Sequence, residues 1–286
     1  AEQVALTVNF MSVFSSAFTL LFMFWTLTML LRKLPIFKKI ETSQEAFLFF
    51  GSAATGVLAY CFSDSFWFNA VEAEVYAMAT FLLSLLFWLG LRWEEDMLNP
   101  RGDRWLVMIA FVIGLSFGVH FMGLLTLPAI GMLYYFKRYQ KITLKGFLIA
   151  NTVSVAVLLF IFKLLLPTTL AFFGKAEVYF VNTIGLPFNS GTVIATFALI
   201  ALFYNALKVT RKQGWVKVNT ALLCILFVLV GFSSWLMIPI RSNANTVINE
   251  NAPDNARALL AYYNLEQYPK THLFFGPLFS DIPGPK

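Results

Sequence analysis

The chain is predicted to fold as an all-α polytopic bundle of transmembrane helices, with about eight spans in 286 residues. Three observations predict this. Apolar residues make up 59% of the sequence and charged residues 13%, and several apolar runs reach the ~20 residues that a helix needs to cross a bilayer core. These runs lack the period-2 alternation of barrel strands, and lipid offers backbone N–H and C=O groups no partners, so the spans are helical. Lys and Arg gather in short connections between the runs, the signature of a positive-inside orientation.

The candidate spans, in order, are 4–31, 46–62, 75–92, 105–119, 121–136, 146–166, 191–208 and 217–240. The stretch 105–136 is read as two short spans turning at His120, because Gly118-Val-His120 lies near its middle and basic residues flank both ends. That turn places the connections 32–39, 92–104, 137–145 and 208–217 on one side. Together they hold 15 of the 21 Lys and Arg residues. The net charge of +6 is therefore an orientation signal, and without a single folded basic patch it is no nucleic-acid interface. The opposite face receives the N-terminus, an acidic-aromatic segment at 63–76, the His120 turn, a loop at about 167–190 and the tail. It is expected to form a chamber, with Phe172–Val181 lying in the interface plane. Residues 1–240 are read as the membrane domain and 241–286 as an extracytoplasmic tail or the start of a following domain.

Other classes are excluded on composition. Cys61 and Cys224 sit at different expected depths, which argues against a disulfide framework. With only His120 and His272 in the chain, no Cys/His set for zinc is present, and no metal-ligand residues are assigned. Heptads and internal repeats are absent, as is the matching pair of interrupted helices that inverted-repeat transporters carry. The chain starts at Ala1 without an initiator Met or signal peptide and ends in the turn-rich Asp281–Lys286, so it reads as a fragment.

Chemistry is sought in the segment Ser63–Tyr76, which sets Asp64, Glu72 and Glu74 beside Phe66, Trp67, Phe68 and Tyr76. Carboxylates at a membrane edge are disproportionately functional. In a continuous helix over 67–80, Glu72 and Glu74 point about 200° apart while Asn69, Glu72 and Tyr76 share a face. A cation bridged by both carboxylates needs a helix that starts after Glu74, with 71–74 extended. The plain alternative is that both are solvated interfacial charges favouring the dipole of the next helix. Asp64 is an N-cap candidate. His120 is read as a proton carrier or as a donor to an anionic headgroup, against an ordinary hydrogen-bonded histidine. Arg241 ends the last span on the side poor in basic residues and suits bidentate binding of a phosphate, the alternative being snorkelling to headgroups. Lys163 has the same two readings, with snorkelling favoured. In the tail, Asn249, Glu250 and Arg257 offer a sugar or acceptor site, or merely a turn before an amphipathic surface helix at 259–268.

Three segments carry a family resemblance. They are Phe66-Trp-Phe-Asn-Ala-Val-Glu-Ala-Glu-Val-Tyr-Ala-Met78, Gly114-Leu-Ser-Phe-Gly-Val-His120, and Pro239-Ile-Arg-Ser-Asn-Ala-Asn245 with Ile248-Asn-Glu-Asn-Ala-Pro253. With them the chain resembles a bacterial membrane family of protein O-mannosyltransferase-like proteins and is similar to the GT-C superfamily of polyprenyl-phosphate-dependent glycosyltransferases. The resemblance runs to Leu273–Pro277. It implies transfer of sugar from a polyprenyl phosphate to a Ser or Thr hydroxyl of a protein, or to a glycan, on the extracytoplasmic face of a bacterial inner membrane. An acidic residue would act as base and cations would hold the donor phosphate. Carried over, Glu72 and Glu74 occupy the family's acidic segment, His120 its histidine turn and Arg241 the arginine after the last span. The resulting expectation is that Glu72, Glu74 and His120 are catalytic and that Arg241, Asn69, Tyr76, Asn249 and Glu250 bind substrate. A divalent cation is the one cofactor considered. The superfamily's principal acid usually follows a first span, whereas only Glu2 precedes the first span here. The chain thus reads as a fragment, as a protein with an unresolved part, or as one that has lost catalysis. The alternative function is a noncatalytic membrane subunit or lipid-binding scaffold, and a transporter ranks third.

Overall fold

A computed structural model describes residues 2–244, 246–269 and Gly276. Among these residues the regular structure is helical throughout: α1 (Glu2–Leu31), α2 (Ser43–Cys61), α3 (Asp64–Val71), α4 (Val75–Asp96), α5 (Asp103–Ser116), α6 (Thr126–Arg138), α7 (Leu144–Leu159), α8 (Leu166–Val178), α9 (Ser190–Lys212), α10 (Val216–Phe232), α11 (Met237–Ser242) and α12 (Ala256–Tyr263). His272 and the 281–286 stretch lie outside the described residues, as do most of 273–277. Two compact units form, one from 1–166 with 199–236, the other from 167–198 with 237–286.

Among the described residues, fewer than eight runs have the length and hydropathy of a full crossing. Five helical runs are long and apolar enough to cross a membrane: Gln3–Leu31, Val75–Asp96, Leu144–Thr183, Ser190–Lys212 and Val216–Ser242. Ser43–Cys61 joins them only as a pair with Asp64–Val71, bent by 67°. The expected short spans at 105–119 and 121–136 are α5 and α6, of 14 and 13 residues. Each is about 20 Å of helix, short of the ~30 Å hydrocarbon. The chain turns between them at His120, as its Gly-Val-His centre suggested, and each packs on α4.

The expected loop from 167 is also corrected, because the chain stays helical to Thr183. Pro167-Thr-Thr reads as a span end, yet a π-helical turn at Phe160–Leu165 directly precedes the proline. That wider turn removes the usual clash between a proline ring and the carbonyl four residues earlier, so the helix continues. Phe172–Val181 is consequently helix within this run.

In the first unit, α1 lies along α4 and α2, and α4 along α5 and α6. The buried positions of α1 are Ser12, Ser15, Ser16 and Thr19, spaced i, i+3, i+4, i+7, whereas Phe10, Phe14 and Phe18 are exposed. This inverts the soluble pattern for the reason that applies in lipid: small polar side chains let helices approach, and large apolar ones face the acyl chains. α2 begins in a capping box, in which Thr42 Oγ1 accepts from the Glu45 amide at 3.2 Å and Glu45 Oε2 accepts from the Thr42 amide at 3.0 Å.

Contacts among the basic connections bring them together at one end of the bundle. Glu94, near the end of α4, is 9% exposed. It binds Lys33 from the first connection, and its other oxygen meets Lys137 from the third at 3.2 Å. Thr220 of α10 donates to Asp103 at 2.9 Å, and Asn219 donates to the Leu207 carbonyl at 3.2 Å. The four connections thus share one end of the bundle. Replacing Glu94 by Ala leaves two lysines facing each other without their common anion. It is expected to cost about 3 kcal/mol, read as a lowered unfolding temperature, and a Lys33→Met, Glu94→Leu, Lys137→Met triple variant is expected to recover most of it.

Candidate functional site

The acidic-aromatic segment lies at the opposite end of α4, since Val75 and Glu94 are separated by about 28 Å of helix. The segment is not continuous helix. α3 ends at Val71 and α4 starts at Val75, with Glu72 at φ −96°, ψ 147° and Glu74 at φ −118°, ψ 162°. The late helix start that a shared cation requires is therefore realised, and the common face of Asn69, Glu72 and Tyr76 is not. Asn69 instead donates to the Ser65 carbonyl at 2.9 Å within α3. Glu74 is the N-cap of α4, without a side-chain cap bond. Its carboxylate is exposed and that of Glu72 half-buried. Among the described residues no third His, Cys, Asp or Glu joins the pair in a metal-binding group.

Aromatic packing braces the 67° bend between α2 and α3 that precedes this break. Phe66 is buried and its ring lies 4.6 Å from that of Tyr60, while Phe62 stacks on Trp67 at 6.2 Å. Asp64 is not the N-cap. Ser63 occupies that position and Asp64 is the first helical residue, where a carboxylate still favours the dipole. Ser63 spends its hydroxyl on the Tyr60 carbonyl at 2.7 Å.

His120 is brought to this end by the α5–α6 turn, with its ring centroid 6.0 Å from that of Tyr76. Its amide donates to the Ser116 carbonyl at 2.7 Å, and its Nδ1 accepts from the Met122 amide at 3.2 Å. Accepting at Nδ1 assigns the proton of the neutral ring to Nε2. The geometry favours donation to an anion over proton abstraction. The carbonyl of Phe117, three residues earlier, accepts from Trp235 Nε1 at 2.8 Å and so fixes the turn against the end of α10.

In the second unit, Arg241 lines a cavity of about 400 Å³ with Ser242, Asn249, Glu250 and Tyr262. Asn249 closes this segment: it accepts from Ser242 Oγ at 2.9 Å and donates to the Ser242 carbonyl at 3.2 Å. Its amide is therefore committed to structure as much as to any ligand. Glu250 accepts from the Tyr268 hydroxyl at 3.0 Å, and that bond pushes the Tyr268 phenol above its ordinary range. The Arg241 guanidinium makes no hydrogen bond or ion pair among the described residues. Arg257, the other tail cation considered, pairs with Glu266 at 3.0 Å. It thereby fastens α12, an amphipathic helix as expected, with Leu259 on its buried side. Lys163 stands over the Phe162 ring at 4.9 Å.

Glu177 escaped the sequence reading. It is 3% exposed and accepts from the Asn189 amide at 2.6 Å, the Thr192 amide at 2.7 Å and the Thr192 hydroxyl at 2.8 Å. A buried carboxylate thus caps α9, and Gly191 makes room for it, since a Cβ there would collide with the Glu177 and Ala176 backbone.

Residues 1–143 match the family model described as the protein O-mannosyl-transferase TMEM260 N-terminal domain. The match covers half the chain, including Glu72, Glu74, Tyr76 and His120. No curated protein matches the chain, and no solved structure does.

Proposed function

The chain belongs to the protein O-mannosyl-transferase TMEM260 N-terminal domain family, and from that premise we propose that it is the membrane core of a GT-C-type glycosyltransferase. It moves a sugar from a polyprenyl-phosphate donor to an acceptor hydroxyl, that of a protein Ser or Thr, on the face opposite the basic connections. The observation that carries this reading is the break at Glu72–Glu74, which places two carboxylates outside regular helix beside Tyr76, whose ring neighbours His120.

The chemistry assigns each group a task. As the acceptor oxygen bonds to the sugar's anomeric carbon, that carbon's bond to the donor phosphate breaks, the hydroxyl proton passes to a carboxylate, and the phosphate leaves with the bonding pair. Glu72, half-buried, orients the acceptor or takes its proton, and Glu74 orients the acceptor from the mouth of α4. If a divalent cation is used, Glu72 and Glu74 would hold it, and it would supply positive charge for the donor phosphate. His120 Nε2–H and the Arg241 guanidinium are each suited to bind phosphate oxygens, and charge-assisted donors of this kind stabilise a departing phosphate.

The test is sugar transfer by the full-length protein from polyprenyl-phosphate mannose to a Ser/Thr peptide. Glu72→Gln and Glu74→Gln are each expected to lower kcat/KM about 100-fold by loss of positioning while leaving the unfolding temperature in place. Wild-type turnover in both variants rules out this site. Absence of transfer by the wild type with any polyprenyl-phosphate sugar rules out the reaction.

A further inference from the structure

One cavity in the first unit lies away from the acidic link, at the basic end of the α6–α7 hairpin. It measures about 490 Å³ and is lined by Tyr134, Tyr139, Lys141, Lys145, Ile149 and Val153. Small residues create it. Gly131 lets Ser154 approach across the hairpin, and Gly146 lets the Tyr135 hydroxyl come close. That hydroxyl accepts from the Thr143 amide at 3.2 Å and lies 3.3 Å from the Thr143 carbonyl, closing the turn. A second hollow of about 430 Å³ adjoins the first, shares Lys145, Ile149 and Val153 with it, and adds Leu144 and Leu148 along α7.

The chemistry of this groove is two-part. Its mouth carries Lys141 and Lys145, which make no ion pair among the described residues, and the sequence places no Asp or Glu between Asp103 and Glu177. The neighbouring Lys137 is already bound to Glu94. Below the mouth the walls are apolar and aromatic. A cationic rim over an apolar channel, set between membrane helices at their basic end, is complementary to a lipid with an anionic head and acyl tails.

We propose that this groove binds one anionic phospholipid of the leaflet at the basic end of the bundle, with its phosphate between Lys141 and Lys145 and an acyl chain along Ile149 and Val153. The site is independent of the transfer reaction and of the residues assigned to it. The tyrosines frame the headgroup, as aromatic side chains do at membrane interfaces.

The experiment is native mass spectrometry of the full-length protein released from nanodiscs of mixed phosphatidylglycerol and phosphatidylcholine. The wild type is expected to retain one phosphatidylglycerol in preference to phosphatidylcholine. Lys141→Gln/Lys145→Gln is expected to weaken that retention about 30-fold, from about 5-fold for each lysine, and Lys38→Gln/Lys39→Gln in another basic connection is expected to leave it unchanged. Val153→Trp, which fills the channel with both charges intact, is expected to lower it as well. Both lysines are exposed, so the lysine variant tests the site even if the tryptophan variant does not fold. Equal retention by the Lys141/Lys145 variant, equal retention of phosphatidylcholine, or equal loss in the Lys38/Lys39 control overturns the proposal. Competition by soluble glycerol phosphate at the lipid's own affinity overturns it too, since it would mark a free-phosphate site.

Discussion

Arg241→Ala is expected to lower kcat/KM for sugar transfer by about 100- to 1000-fold, the range seen when one donor to a developing negative charge is removed. Three properties of the residue support so large an effect. Its guanidinium has no described partner, it lines a cavity of about 400 Å³, and its side chain projects from a short helix that Ser242 and Asn249 brace by two hydrogen bonds. A cation that lines a cavity differs from a snorkelling one, which contributes to membrane seating and nothing to turnover. Arg241→Lys separates charge from shape. A lysine keeps the positive charge but loses the planar fork that grips two phosphate oxygens, so this variant is expected to fall between wild type and alanine. Because Arg241 is exposed, both variants should unfold within about 0.5 kcal/mol of the wild type. Transfer unchanged by either substitution would assign Arg241 to the headgroup region alone.

The membrane architecture was legible because two signals agreed: apolar length, and the clustering of basic residues in alternate connections. The Lys33–Glu94–Lys137 triad and the Thr220–Asp103 bond bring those connections together in three dimensions. The late start of α4 was legible only as one of two alternatives. No local letter separates a helix through Glu72 from a break, and the Tyr60–Phe66 and Phe62–Trp67 ring pairs brace only the preceding bend between α2 and α3. The continuation past Pro167 was illegible, since hydropathy falls at Pro167-Thr-Thr and the π-helical turn that relieves the proline leaves no compositional trace. Glu177 is the same kind of case. In sequence it is a charge near the membrane surface, and only residues 12 to 15 positions later reveal it as the buried cap of α9. Asn249, expected to bind substrate, also holds its own loop through its amide.

Substitution of Gly114 is expected to be the most damaging single change in the bundle. A Cβ at Gly114 would run into the Val228 carbonyl of α10, and a Cβ at Gly231 would run into the Phe111 carbonyl and the Leu115 amide of α5. The two helices therefore cross backbone to backbone through a reciprocal pair of glycines. Gly118, one turn on, faces Ser234 and extends the seam as a Gly-x-x-x-Gly pattern. In lipid this seam has no hydrophobic driving force to fall back on, because acyl chains are as apolar as the side chains they would replace. The atoms a new Cβ meets are backbone, which cannot rotate aside. Gly114→Ala should cost about 3 kcal/mol, at the upper end for overpacking, and Gly114→Leu should abolish the folded, monodisperse protein. Gly51→Ala in α2 is the control, since nothing lies within 4 Å of a Cβ there and the substitution should stabilise by about 0.5–1 kcal/mol through helix propensity alone. The Gly114 effect should also reach the site. Forcing α10 away from α5 strains the Trp235–Phe117 bond that fixes the turn carrying His120, so Gly114→Ala should lose transfer activity below its unfolding temperature while Gly51→Ala retains it. Equal unfolding temperatures for the two alanine variants would show that the α5–α10 crossing has slack that its glycines do not use.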